Sequence, residues 1–191
     1  HEGLPWSWES FPEYLQALEE QRYDIDIAAL LPHGPLRVYA MGERAIRREQ
    51  ANAEDIRTMQ ELIKQGLAAG AVGLSTSRTM AHRSKSGDFT PMYQAVSEEL
   101  LELGLSLKSY PNSVFQMISD FEHVEDEFSI LTRVSRNTGC AGTLTVLQYP
   151  HRPQLHRELL RHIETANAGG LRIMGQVLNR PVGVLMGFEC S

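Results

Sequence analysis

Gly70-Ala-Val-Gly-Leu-Ser-Thr-Ser-Arg-Thr-Met-Ala-His82 is the stretch on which the reading of the fold turns. A helical pattern stops at Gly70, the apolar run Ala71 to Leu74 follows, and hydroxyls, an arginine and a histidine then arrive together without further hydrophobic periodicity. This is the signature of a buried strand delivering polar groups to its C-terminal end, where parallel α/β architectures gather their loops and their chemistry. Ser75, Thr76 and Ser77 could each satisfy loop backbone groups, and Arg78 could be a surface charge. As a cluster closing a buried strand, they are read as part of a site.

Upstream of this stretch, Asn52 caps a helix whose apolar positions Ile56, Met59, Ile63 and Leu67 keep helical spacing, with Gly70 as its stop. Downstream, a charged loop carrying Ser86-Gly87-Asp88 runs to Ser97, read as the cap of a helix through Leu100, Leu103 and Leu107. The alternation continues with a strand from Val114 to Ile118 and a helix presenting Val124, Phe128, Leu131 and Val134. A strand from Thr143 to Leu147, a helix through Leu155, Leu159, Ile163 and Ala166, a Gly169-Gly170 stop and a strand from Leu171 to Val177 follow. Toward the N-terminus, Ser10-Phe-Pro-Glu13 reads as a capping box opening a helix to about Glu20, with Trp8 placed to pack on Tyr14 or a neighbour. Between them, Ile25 to Leu31 reads as a buried strand closed by Pro32-His33-Gly34-Pro35.

Five strands alternating with helices, without a hairpin signal, predict a parallel sheet with right-handed crossovers, either doubly wound or a barrel. No Gly-x-Gly-x-x-Gly follows a strand, which removes the dinucleotide fingerprint of the doubly wound class. Gln116, Gln148 and Gln176 also stand near the C-terminal ends of three successive strands, as side chains turned toward a common barrel mouth would. Each amide could instead plug a polar gap in the core. A closed (β/α)8 barrel has eight strands, so five consecutive βα units predict a partial TIM-type barrel.

The 191 residues, 42% hydrophobic and 22% charged, suit one globular domain with a substantial core. A net charge of -6 offers no basic field for a phosphate backbone, so nucleic acid is not an expected partner. Cys140 and Cys190 lack Cys-x-x-Cys spacing and are read as reduced thiols in a cytoplasmic setting. No apolar run is long enough to span a membrane, and the N-terminus lacks a signal-peptide pattern. A soluble protein is the expectation.

Four strings then occur in order: His1-Glu-Gly-Leu-Pro-Trp-Ser-Trp-Glu-Ser-Phe-Pro-Glu-Tyr-Leu15, Leu31-Pro-His-Gly-Pro-Leu-Arg37, Gly70 to Thr79, and Arg180-Pro-Val-Gly183. Together they resemble the N-acyl-D-amino-acid deacylase (D-aminoacylase) branch of the amidohydrolase superfamily. The resemblance implies that residues 1–191 form an incomplete amidohydrolase-type barrel domain, roughly strands three to seven. It also implies a hydrolase of a non-peptide C–N (amide) bond, in which zinc activates water against an N-acyl-D-amino acid. The first metal ligands and the catalytic aspartate of the family would then fall outside this chain, and the fragment alone would be inactive.

Two further family ligands should fall inside. Where the family pattern has Thr-His-x-Arg this chain has Phe115-Gln-Met-Ile-Ser-Asp120, with Ile118 near the histidine position; where it has Ser-His-His-Lys, this chain has Thr145-Val-Leu-Gln148. An amide is a poor zinc ligand beside imidazole or thiolate. His33, in a His-x-x-Leu-Arg position and held rigidly at the rim by flanking prolines, and His82, in the long loop, are the remaining metal candidates. His123, His151, His156 and His162 fit solvated helix faces or charged loops.

The substrate-binding candidates are therefore His33, Ser75, Arg78, His82, Gln116, Gln148 and Gln176, with the fork of Arg78 suited to a substrate carboxylate. The partner is a small N-acyl amino acid or related amide. The alternative is a catalytically silent barrel that binds such a ligand without hydrolysis; a structural subunit is a third reading.

Overall fold

The computed structural model describes residues 6–93 and 95–179. Helix α1 (Phe11–Glu19) opens on the capping box: Ser10 Oγ accepts from the Glu13 amide, and the Glu13 carboxylate accepts from the Ser10 amide at 3.0 Å. Trp8 packs on Tyr14 with ring centroids 5.2 Å apart. Helix α4 (Ala53–Ala68) opens the same way. Asn52 Oδ1 accepts from the amides of Glu54 and Asp55, and Asp55 returns a carboxylate oxygen to the Asn52 amide at 2.8 Å. Between them lie β1 (Leu31–Pro32), α2 (His33–Met41) and α3 (Glu43–Ile46). Then come β2 (Gly73–Arg78), α5 (Ser97–Leu105) with a following 3-10 turn, β3 (Val114–Ser119), α6 (Val124–Thr138), β4 (Ala141–Thr145), α7 (Leu155–Ala168) and β5 (Ile173–Gln176).

The sheet has five strands, all parallel, in the order β1-β2-β3-β4-β5. A doubly wound sheet reverses its strand order at a switch point, whereas a barrel adds each strand beside the last. Helices α4, α5, α6 and α7 pack successively on one another in a single layer, as barrel crossovers do. The core lies between that layer and the sheet: Leu74, Phe115, Met117, Leu144 and Ile173 from the strands meet Met59, Ile63, Leu100, Leu103, Leu131, Val134 and Leu159 from the helices. Each such buried side chain contributes about 1.5–3 kcal/mol through the apolar surface it removes from water. The opposite face carries Gln116, Met174 and Gln176, half-buried or exposed. The architecture is thus an arc of a (β/α) barrel, with its interior surface open.

Four sequence expectations change. The strand read over Ile25 to Leu31 is formed only by Leu31 and Pro32, while Ile25 and Ile27 are 76% and 46% exposed. An apolar run becomes a strand only where a partner supplies hydrogen bonds, and β1 finds only Leu74 and Ser75 of β2. His33 follows as the first residue of α2, not as a rim loop residue, and is 1% exposed. Ser97 lies inside the first turn of α5, whose N-cap is Val96 without a side-chain cap bond. Most importantly, Ser75 to Arg78 do not follow the strand: they are the strand.

Cys140 is buried and free, and burial pushes its thiol up. Cys190, Arg180 to Gly183 and the first five residues of the N-terminal string lie outside the described residues. Among the described residues, no helix is long and apolar enough to cross a membrane.

Candidate active site

Side chains alternate between the faces of a strand, so consecutive residues of Ser75-Thr76-Ser77-Arg78 enter different environments. Thr76 and Arg78 share the parity of Leu74 and point into the helix layer. Ser75 and Ser77 share the opposite parity and join the inner face.

Behind the sheet, His33, Arg37, Thr76 and Glu99 form a buried polar cluster, each 5% exposed or less. Arg37 Nη1 donates to both Glu99 oxygens at 2.6 Å, and His33 bridges from Glu99 (Nε2, 2.8 Å) to Thr76 Oγ1 (Nδ1, 2.9 Å). The ionised carboxylate can only accept, so Nε2 carries the proton. Burial lowers the pKa of His33, which leaves Nδ1 to accept from the Thr76 hydroxyl. Burial alone would push Glu99 up, but the hydrogen bond from His33 and the Arg37 guanidinium outweigh it and hold the carboxyl below its ordinary range. Both nitrogens of His33 are engaged, so this histidine has no lone pair for a metal or a ligand.

Arg78 is likewise engaged. Its Nε and Nη2 donate to the Glu127 carboxylate at 2.8 and 3.2 Å, and its Nη1 donates to the Ala95 carbonyl. Ser119 Oγ adds a bond to Glu127 at 2.9 Å. The fork read as a carboxylate clamp joins β2, β3 and α6 within the protein itself. Spacing is the signal that would have revealed its partners. Glu127 sits three residues after Val124 and four before Leu131, on the apolar stripe of α6, and Glu99 sits four before Leu103. A carboxylate on such a stripe requires a buried cation.

The inner face is different in kind. Ser75, Gln116, Thr143 and Met174 are register partners on β2 to β5 and form one row, with Ser77 beside Ile118, and Thr145 beside Gln176, one step further along. Gln116 Nε2 donates to Gln176 Oε1 at 3.3 Å across β4, beside Thr143, whose hydroxyl is buried and has no hydrogen-bond partner among the described residues. Ser75 Oγ donates to the Leu31 carbonyl at 3.3 Å, and Ser77 Oγ meets His82 Nδ1 at 2.7 Å. Gln148 departs from the expected common level: it lies three residues beyond β4, and its amide reaches His156 Nε2 on α7 at 3.4 Å.

The chemistry of this donor set decides what it can hold. Amides and hydroxyls orient a carbonyl or carboxylate, whereas catalytic zinc takes imidazole, thiolate or carboxylate. Among the described residues, no group of three or more His, Cys, Asp or Glu is arranged to hold a metal ion. His82 has its Nδ1 on Ser77 and belongs to no such group. The described residues do not fit a resident metal.

An arc of consecutive parallel βα units with a polar inner row is a fold and a site that can be compared with known proteins. The profile of the amidohydrolase family matches residues 1–182. The chain belongs to the amidohydrolase family. Among amidohydrolase relatives, a D-aminoacylase of Alcaligenes xylosoxydans xylosoxydans is 25% identical over 170 residues, 87% of this chain and 33% of its own length. An N-acyl-D-glutamate deacylase of the same organism is 32% identical over 132 residues, 69% of this chain and 25% of its own. A D-aminoacylase crystal structure described as defining a novel subset of amidohydrolases superposes with a TM-score of 0.70 at 24% identity, over 88% of this chain and 33% of that one. A D-aminoacylase mutant in complex with copper chloride gives a TM-score of 0.69 at 23% identity, with the same coverage. These superpositions establish the barrel fold. The chain spans about a third or less of the length of these relatives.

Proposed function

We propose that the full-length protein hydrolyses the amide C–N bond of small N-acylated amino acids. The observation that carries this reading is the amidohydrolase match over residues 1–182 on an arc whose inner face presents Ser75, Ser77, Gln116, Thr143 and Gln176. Two relatives, named a D-aminoacylase and an N-acyl-D-glutamate deacylase, support an N-acyl-D-amino acid as the substrate class. In this role the inner amides orient the acyl or carboxylate oxygens, since preformed dipoles aimed at a polar substrate cost no reorganisation during the reaction. Zinc, which the family resemblance implies, finds no cage in the described residues, and no step is assigned to it. Its ligands, like the catalytic residues, belong in this proposal to other parts of the full-length protein. The free Cys140 fits the cytoplasm as its setting.

The test is amine release from paired N-acyl-D- and N-acyl-L-amino acids by the full-length protein. The reading expects D-selective turnover, with Gln116→Ala lowering kcat/KM by about tenfold, the value of one lost hydrogen bond to a charged group. No release from either series would refute it. A second reading, a barrel that binds acylated ligands without cleaving them, is favoured by Ile118, half-buried on the inner parity of β3 where the family pattern carries a histidine. Saturable binding of the same compounds without amine release would select it.

A further inference from the structure

The bond between Ser77 and His82 goes unused by the networks described so far. Ser77 is 5% exposed and lies on the inner parity of β2, while His82 stands exposed in the loop beyond the strand. Ser77 Oγ and His82 Nδ1 are 2.7 Å apart, and among the described residues Ser77 Oγ makes no other hydrogen bond. That isolation fixes the direction of the proton. Were Nδ1–H the donor, the buried Ser77 hydroxyl would keep its own proton with no acceptor, at the full cost of desolvation. Donation from Ser77 to Nδ1 satisfies both groups and places the imidazole proton on Nε2.

The backbone that carries His82 is fastened on both sides. Thr79 Oγ1 and the Met80 amide donate to the two oxygens of Asp120 at 2.5 and 2.7 Å, tying the start of the loop to the end of β3. The Asp120 carbonyl in turn accepts from Arg152 at 3.0 Å. On the far side, Arg83 Nε donates to the Met80 carbonyl at 2.9 Å, and its guanidinium lies 3.5 Å over the Phe89 ring, which stacks on Tyr93 at 4.3 Å. A ring with a fixed tautomer on an anchored turn is pre-organised to donate one hydrogen bond. His33 has both nitrogens engaged, so His82 is the imidazole at the C-terminal end of β2 whose Nε2 makes no hydrogen bond among the described residues.

We propose that His82 is a substrate-binding residue whose Nε2–H donates to an oxygen of the ligand, and that Ser77 is the positioning residue that sets its tautomer. The ligand chemistry is an oxygen acceptor, supplied in an N-acyl amino acid either by the carboxylate or by the acyl carbonyl. The identity of that ligand rests on the function proposed above; the Ser77–His82 geometry does not.

The experiment uses the full-length protein labelled with 15N-histidine. The ring-nitrogen resonances of His82, assigned by their loss in His82→Ala, report the tautomer, and N-acetyl-D-glutamate is then titrated in while amine release is measured in parallel. The expected result is an Nε2–H tautomer in the wild type and in Ser77→Thr, a mixture of tautomers in Ser77→Ala, and a shift of Nε2 on adding the ligand. In turnover, His82→Ala is expected to lose about tenfold in kcat/KM, and His82→Gln, whose amide N–H can approximate Nε2–H, to recover part of it. A loss in KM confined to carboxylate substrates, absent with the matching carboxamides, assigns the bond to the carboxylate. A loss in kcat with both series assigns it to the acyl oxygen.

An Nδ1–H tautomer in the wild type overturns the proposal. So does turnover of His82→Ala within twofold of wild type. If no compound is hydrolysed yet N-acetyl-D-glutamate still shifts His82 Nε2, the proposed function fails and this inference stands; if neither occurs, both fail.

Discussion

Replacing Glu99 by alanine is the sharpest test of how this arc is held together. Glu99 is 1% exposed and accepts three hydrogen bonds, two from Arg37 and one from His33. Its removal leaves a guanidinium 1% exposed that, among the described residues, has no partner for Nε and keeps only the bond to the Glu49 carbonyl. Removing one member of a buried ion pair costs about 3–5 kcal/mol, because the other charge stays buried without compensation. The unpaired imidazole N–H of His33 adds about 1 kcal/mol or more. A loss of about 4 kcal/mol is a large share of the 5–15 kcal/mol typical of a folded domain.

Urea unfolding of the full-length protein, followed by circular dichroism and by proteolytic susceptibility, measures it. The double replacement Arg37→Met with Glu99→Leu should recover at least half of the loss, since no isolated charge then remains. The pH dependence follows from the same cluster. The pKa values of His33 and Glu99 are both lowered in the folded state from their ordinary 6.5 and 4.5. For a lowered pKa the unfolded chain binds the proton first, so stability is complete above the ordinary value and declines as pH falls toward the folded one. Wild-type stability should therefore fall below about pH 6.5 as unfolded His33 takes up its proton, and again below about 4.5 through Glu99. A Glu99→Ala protein less than about 1 kcal/mol below wild type would refute the argument.

Two further outcomes follow from the helix layer and the strand edges. Arg78→Ala should cost about 1–3 kcal/mol of stability by stranding Glu127, each partner being 17% exposed, and should leave KM for anionic substrates unchanged. A raised KM with unaltered unfolding would restore the carboxylate clamp. Gly73→Ala should destabilise by roughly 3 kcal/mol or more, since its φ is +152° and a Cβ would stand 1.9 Å from the Val114 carbonyl oxygen; an unfolding midpoint equal to wild type would show that β2 and β3 separate there at little cost.

Local chemistry made the capped helices legible, whereas α2 and α3, which open without a side-chain cap bond, were not read from the sequence. Ser10, Asn52, Gly70 and the Gly169-Gly170 pair act within a turn of where they stand, so their meaning is written beside them. The parallel sheet was legible too, because strand and helix periods alternate without a hairpin signal; its barrel order rested on the missing Gly-x-Gly-x-x-Gly and the recurring glutamines, not on the alternation. The partners of polar residues were not legible. Ser75, Thr76 and Arg78 resemble a loop because their side chains bond Leu31, His33 and Glu127, 43 or more positions away in the chain and beyond the reach of any local pattern. The three glutamines looked equivalent by position, yet β4 ends at Thr145, leaving Gln148 outside the row that Gln116 and Gln176 share. Ile25 and Ile27 carried the hydrophobicity of a strand without a neighbour to pair with.

The alternation within β2 also bears on how such a protein can change. Positions 75 and 77 lie on the inner face of the sheet, whereas 76 and 78 point into the helix layer and anchor helices there. Two kinds of environment are thereby assigned to interleaved letters of one four-residue word. Randomising the odd letters leaves the anchors of the helix layer in place, while randomising all four removes them. Substitution at positions 75 and 77 spares the anchors; insertion or deletion does not, because slipping the strand by a single residue would turn the anchors to the inner face and the inner-face hydroxyls into the core.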